Sequence, residues 1–215
     1  MKAIFSDFDG TFYDKDYDKN IELIKSLDVD FIVATGRHIN SLSKDLKAKC
    51  RYYICNDGAY VLDENKNFIY KNSMNNNSVL SILEKIKELK IDDYFFDSYT
   101  KQSKELTFPI NKISVKIKDR KNINYILNYL LDGIDDCYGY LSQNYINILD
   151  NNSTKTKGID FVTSLNKYDE VYVIGNDIND YDMINKYNGY LVSDKQVKNF
   201  NCIKSFSSIK DIIKK

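Results

Sequence analysis

In 215 residues the sequence has one histidine, one proline and four cysteines, and its charges cancel at 31 basic against 31 acidic. Each scarcity excludes something. Cys50, Cys55, Cys137 and Cys202 form no C-x-x-C pair, and a single histidine leaves no zinc-ligand pattern. The cysteines read as reduced thiols, and the expected location is cytoplasmic. Without a long basic stretch or a net charge, neither nucleic acid nor a membrane surface is an expected partner. No apolar run reaches the ~18 residues needed to span a bilayer. The opening stretch "MKAIFSDFDG" breaks its apolar run at once with charge, unlike a signal peptide. There are no repeats and no low-complexity linker. The length allows one large domain or two small ones.

What is present has a rhythm. "KAIFSDF", "DFIVAT" and "RYYICN" read as buried strands, and "NIELIKSL" and "INSLSKDLKA" have helical spacing. "GAYVLDENKNFIYKN" reads as a hairpin with a polar turn at 63–67. Strands alternating with helices predict a parallel α/β sheet. The rhythm then changes. "NSVLSILEKIKELK" places Val79, Ile82, Leu83, Ile86 and Leu89 on one helical face. "YFFDSY", "INKISVKIK", a helix over 123–131, "CYGYLS" and "YINILD" follow, with Pro109 between strands. That order is αββαββ with an antiparallel sheet. After "NNSTKTKG" the first rhythm resumes, with "IDFVTSL" helical, "EVYVIGN" a strand, "DYDMINKY" a helix and "GYLVS" a strand. The expected fold class is α/β: a Rossmann-like parallel-sheet core from 1–75 and 152–215, split by a small α+β cap domain at 76–151. Polar junctions near 74–77 and 151–156 mark the crossings.

Ligands of open α/β sheets bind outside the carboxyl ends of the strands. Four polar clusters sit at or near such ends: Asp7-Phe8-Asp9, Thr35-Gly36-Arg37, Lys157 and "GNDIND" at 175–180. The sheet would gather Asp7, Asp9, Asp177 and Asp180. Two like charges 4 Å apart cost about 4 kcal/mol at an effective dielectric of ~20. Such a group needs a cation, and hard oxygen ligands suit Mg²⁺. With Lys157 and a hydroxyl added, the site suits a phosphoryl group. Alternation along a strand lets Asp7 and Asp9 project to one side, one to attack phosphorus and the other to handle the proton. "DKDYDKN" at 14–20 has the spacing of a calcium loop, but Lys19 and Lys25 stand where that loop needs Gly and Glu. Asp14, Asp16 and Asp18 read instead as a solvated flap.

These motifs resemble those of haloacid dehalogenase superfamily phosphatases, of the Cof-like class with a type IIB cap, over essentially the full length. Asp7-Phe8-Asp9-Gly10-Thr11 resembles the first motif, Thr35-Gly36-Arg37 the second, Lys157 in "TKG" the third, and residues 175–180 the fourth. The resemblance implies that Asp7 is a nucleophile forming an aspartyl-phosphate and Asp9 the acid and base. It implies that Thr35 and Lys157 hold phosphate oxygens, with Gly36 and Arg37 beside the substrate. Mg²⁺ would be bound by Asp7, the Asp9 carbonyl and the fourth motif, where Asn176, Asp177 and Asp180 are candidates. Asn56 and Asp57 in "NDGA" either face the substrate or only make a turn. His38 is read as a helix cap rather than a substrate contact.

Two positions depart from the family pattern. Asn176 stands where the metal-binding Asp is usual, and Asp57 where an Asn before Gly58 is usual. Direct ligation by Asn176 is expected, with Asp177 as the alternative. The cap is also short, which by analogy suits a small metabolite. The sequence reads as a Mg²⁺-dependent phosphatase for a small phosphate monoester, with a sugar phosphate as one candidate. A phosphohexomutase-like phosphotransferase and a non-catalytic phospho-metabolite sensor stand as alternatives. A monomer or weak homodimer is expected.

Overall fold

The computed structural model describes residues 1–118 and 120–213. The chain divides into two compact units, one made of residues 1–70 with those from Thr154 onward, the other Lys71–Ser153. The sequence placed these divisions at 75/76 and 151/152.

The first unit opens with β1 (Lys2–Ser6), α1 (Tyr17–Ser26), β2 (Asp30–Ala34), α2 (Ile39–Asp45), β3 (Tyr52–Cys55), β4 (Tyr60–Asp63) and β5 (Phe68–Lys71). The inserted unit contains α3 (Asn76–Glu88), β6 (Tyr94–Asp97), β7 (Gln102–Ser103), β8 (Lys112–Lys116), α4 (Ile123–Leu131), β9 (Cys137–Ser142) and β10 (Tyr145–Asp150). The chain then returns through α5 (Lys155–Leu165), β11 (Glu170–Gly175), α6 (Tyr181–Lys186), β12 (Tyr190–Val192), β13 (Asn201–Ile203) and α7 (Ile209–Ile213).

The first unit's sheet runs β13-β12-β11-β1-β2-β3-β4-β5. Its pairs from β13 to β3 are parallel, and β3–β4 is antiparallel. Side chains alternate between its faces. Ala3, Phe5, Ile32, Ala34 and Ile54 pack with Ile159 and Val162 of α5 and Met183 and Ile184 of α6. On the other face Ile4, Phe31 and Val33 are buried. There Phe12 meets Phe31 and Phe206 at ring-centroid distances of 4.5 and 4.9 Å. Burial on both faces is why β1, β2 and β3 read as continuous apolar runs.

The inserted unit is a five-stranded sheet, β7-β6-β8-β10-β9, with antiparallel pairs throughout. Val79, Ile82 and Ile86 of α3 and Ile123 and Leu130 of α4 pack on one face against Phe96, Ile113, Val115, Ile146 and Ile148. Alternation sends Lys112, Ser114, Asn147 and Tyr140 to the other face. Ser114 Oγ donates to Asn147 Oδ1 at 2.9 Å across the β8–β10 pair. The Lys112 ammonium lies 5.8 Å from the Tyr140 ring centroid. The two-residue β7 is an addition to the αββαββ order read from the sequence.

Candidate active site

Four adjacent strands, β11, β1, β2 and β3, run parallel and end on polar residues. Asn176 follows β11, Asp7 follows β1, Thr35 follows β2 and Asn56 follows β3. Thr154 caps α5, its Oγ1 accepting the Lys157 backbone N–H at 3.2 Å, so Lys155 is the first residue of the helix. Lys155 Nζ lies 2.7 Å from Asp7 Oδ1 and 2.7 Å from Asp180 Oδ1, and its side chain is 2% exposed.

Lys157 was the lysine expected here. It lies instead on an exposed part of α5, two residues on. Two helical positions differ by about 200° around the axis, so one of these lysines faces the sheet and the other turns away. The lysine that reaches Asp7 and Asp180 is Lys155.

The buried trio is electrostatically tense. Burial pushes the Asp7 carboxyl up to about 7; Lys155 pulls it back and the Asp180 charge adds to the rise. Burial alone would lower the Lys155 ammonium, but Asp180, Asp7 and Asp57 outweigh it and hold the group above its ordinary range. Lys155 is therefore a fixed positive charge beside Asp7. Asp180 Oδ2 accepts the backbone N–H groups of Asn176 and Asp177 at 2.9 and 3.1 Å, which ties the β11 end to the same trio.

Of the expected metal residues, the structure gathers Asp7, the Asp9 carbonyl and Asn176. Asp180 is engaged with Lys155, and Asp177 Oδ1 caps its own turn by accepting the Ile178 N–H at 2.8 Å. Among the described residues no three Asp, Glu, His or Cys side chains form a ligand group. The oxygen donors are mixed instead. One position of the Asn176 amide lies 3.0 Å from Thr11 Oγ1, 3.1 Å from Asp7 Oδ2 and 3.1 Å from the Asp9 carbonyl. With oxygen in that position, one carboxylate, one carbonyl and one amide oxygen converge. That donor set fits a hard cation such as Mg²⁺. Gly10 makes the approach possible: its φ is +75°, and a Cβ there would lie 2.5 Å from Asn176 Nδ2.

The Asp9 carboxylate faces elsewhere. Arg37 Nε and Nη2 donate to its two oxygens at 2.7 and 2.5 Å, while Nη1 donates to Asp45 Oδ2 at 2.5 Å. The guanidinium also lies 5.1 Å from the Phe8 ring centroid. Hydrogen bonds to Asp9, opposed by burial and supported by Asp45, raise the Arg37 pKa above its usual value. Arg37, expected beside the substrate, is thus fixed on Asp9. Thr35 is buried, and its Oγ1 accepts the Arg37 backbone N–H at 3.1 Å across Gly36. His38 caps α2, its Nδ1 accepting from the Asn40 N–H at 3.1 Å.

Asn56 and Asp57 are buried with left-handed φ values of 45° and 54°, a conformation Asn and Asp tolerate better than most residues. Their backbone N–H groups donate to the Arg37 and Thr35 carbonyls at 3.0 and 2.9 Å. Asn179 Nδ2 donates to Asp57 Oδ1 at 3.1 Å. Gly58 has φ +92°, and a Cβ there would lie 2.0 Å from the Thr154 carbonyl oxygen. Its bare backbone lets the start of α5, and with it Lys155, approach the strand ends. Sequence reasoning missed Lys155, Thr11, Asp45 and Asn179. Lys155 and Thr11 had signals: the S-T-K run places a capping threonine just before Lys155, and Thr11 closes the motif that begins at Asp7.

The haloacid dehalogenase-like hydrolase family model matches residues 4–100 and 93–199. No curated protein matches the chain. Solved structures do. The subclass IIB sugar phosphatase BT4131 is 20% identical, over 91% of this chain and 89% of that one, with a TM-score of 0.75. The phosphatase BT1666 from Bacteroides thetaiotaomicron is 11% identical, over 98% and 94%, with a TM-score of 0.79. A phosphoryl-transfer superfamily protein described with a trigonal-bipyramidal intermediate is 17% identical, over 100% and 98%, with a TM-score of 0.79. At these identities the structures attest the fold, a Rossmann-like core with an inserted α+β unit. No helix among the described residues is long and apolar enough to cross a membrane. On the family match, which spans most of its length, the chain belongs to the haloacid dehalogenase-like hydrolases.

Proposed function

We propose that this protein is a Mg²⁺-dependent phosphatase that hydrolyses a small phosphate monoester through an aspartyl-phosphate on Asp7. The observation that carries the reading is the buried Lys155 ammonium, held 2.7 Å from both Asp7 and Asp180 at the carboxyl ends of parallel strands. A nucleophilic carboxylate needs a fixed positive neighbour when it approaches a phosphate dianion. Lys155 meets that need and offers a cation to the transferring oxygens.

An Asp7 oxygen attacks phosphorus in line with the ester bond. That bond breaks, and the departing alkoxide takes a proton from the Asp9 carboxyl. Asp9, now a carboxylate, removes a proton from water. The resulting hydroxide attacks phosphorus, breaks the bond to Asp7 and releases inorganic phosphate. Arg37 holds both Asp9 oxygens. It is therefore a positioning residue, and one oxygen must leave it for each proton transfer. The Thr35 hydroxyl and Lys155 receive phosphoryl oxygens. Asp7, the Asp9 carbonyl and Asn176 would hold Mg²⁺, which when bound supplies positive charge to the phosphoryl group.

In this reading the inserted unit is a cap, and its side chains carry the choice of substrate. The likeness to the sugar phosphatase BT4131 makes sugar phosphates the first substrates to try. The test is turnover of p-nitrophenyl phosphate with and without Mg²⁺, followed by a panel of phosphorylated metabolites. Mg²⁺-dependent phosphate release is expected, with one sugar phosphate preferred. A well-folded protein that releases no phosphate from any of them would sink the proposal.

A further inference from the structure

The Asn176 amide sits among acceptors. With its oxygen inward it meets the Thr11 hydroxyl, but it also faces Asp7 Oδ2 and the Asp9 carbonyl, each 3.1 Å away, and neither can donate. With its nitrogen inward it donates to this set instead. The two orientations have the same volume and differ by a half-turn of the amide. A Cβ at position 10 would lie 2.5 Å from Asn176 Nδ2, so the bare glycine backbone is what lets the amide sit here. In the cation-free protein the nitrogen-inward form is favoured, because it replaces oxygen–oxygen repulsion with hydrogen bonds. A cation needs the opposite orientation, with the oxygen inward.

Charge points the same way. Of the three protein donors that converge, only Asp7 is charged, and its other oxygen is bound to Lys155. The Asp180 carboxylate is taken by the same ammonium and by two backbone N–H groups. Both oxygens of Asp9 are on Arg37. A divalent cation therefore meets one shared carboxylate and must displace the amide hydrogen bonds. A phosphoryl dianion beside it would supply the missing negative charge.

We infer that Asn176 makes divalent-cation binding at this site conditional on a phosphoryl ligand: its amide closes the ligand set in the resting protein and turns its oxygen inward when cation and phosphate arrive together. The inference rests on the phosphatase reading, since it takes the site to be a phosphoryl site. Linkage then requires the dependence to be mutual, each ligand tightening the other by the same factor.

Isothermal titration of the whole chain with MgCl₂, with and without saturating inorganic phosphate, tests this. Mg²⁺ alone should bind in the millimolar range, and phosphate should tighten it by about tenfold or more. Phosphate binding should tighten equally when Mg²⁺ is present. In Asn176→Asp, Mg²⁺ alone should bind about tenfold more tightly or better, because a charged ligand replaces the amide, and the coupling should shrink. If that variant fails to fold, Asn176→Ala serves. It removes the closing amide and its oxygen, so phosphate should still bind alone while the Mg²⁺ enhancement is lost. Equal Mg²⁺ affinity with and without phosphate, where phosphate itself binds, overturns the inference and leaves the phosphatase reading standing. So does an Asn176→Ala protein with an unchanged enhancement. Failure of phosphate to bind under any condition overturns both.

Discussion

The two units use buried polar groups in opposite ways. In the first, Asp7, Lys155 and Asp180 form a charged trio whose members come from a strand end, a helix start and the turn between β11 and α6, with Asp7 and Lys155 148 residues apart in sequence. In the inserted unit, Ser114 and Asn147 form a neutral pair directly across two neighbouring strands. Removing one member of the trio leaves a charge buried without its partner, which is expensive. Removing one member of the neutral pair costs only a hydrogen bond. The first arrangement fixes chemistry, because no member can be exchanged without unsettling the others. The second tolerates exchange, because neither of its members carries a charge.

The largest effect should come from Asp7, the proposed nucleophile. Asp7→Asn keeps the side-chain shape but is expected to lower p-nitrophenyl phosphate turnover by about a thousandfold or more, as loss of a covalent nucleophile does. Thermal melting should show the fold intact. A folded Asp7→Asn protein with near-normal kcat would break the comparison at its root.

Lysine substitutions should sharpen it. Lys155→Met is expected to cost about 3–5 kcal/mol in urea unfolding, the usual penalty for breaking a buried ion pair, and to lose activity. Lys157→Met, at an exposed position, should stay within about 0.5 kcal/mol. Equal effects at the two positions would contradict the placement of Lys155. Gly58→Ala should cost about 3 kcal/mol, because a Cβ there meets the Thr154 carbonyl and the backbone is left-handed. Its urea midpoint and kcat should fall together, since the same contact positions α5.

The smallest effect belongs to the inserted unit. Asn147→Ala should cost about 1 kcal/mol in stability. Its kcat for p-nitrophenyl phosphate should stay nearly unchanged. A large fall in that kcat would place catalytic work in the inserted unit and erase the contrast drawn here.

The sequence made the strand ends readable because buried parallel strands are short apolar runs that stop at polar residues. Asp7, Thr35 and Asn176 could be placed that way. The lysine could not. Both lysines of "TKTKG" flank a threonine, and the apolar spacing of α5 shows only from Ile159. The helix phase depends on Thr154 acting as the cap, and that phase decides which lysine faces Asp7. The Arg37–Asp9 pairing was equally hidden, since it depends on side-chain direction across two loops. The short β7, β13 and α7 lack enough residues for any periodicity to show. The inserted unit was readable as a change of rhythm, and its α3 stripe was clear because five apolar positions repeat at helical spacing.

The most direct test is chemical trapping of the phosphorylated enzyme. The protein would be mixed with p-nitrophenyl phosphate and Mg²⁺, quenched during turnover and treated with borohydride, and its peptides mapped by mass spectrometry. The account predicts reductive modification at Asp7 alone, absent from Asp7→Asn. Modification at another residue, or none in an enzyme trapped while turning over, would contradict it.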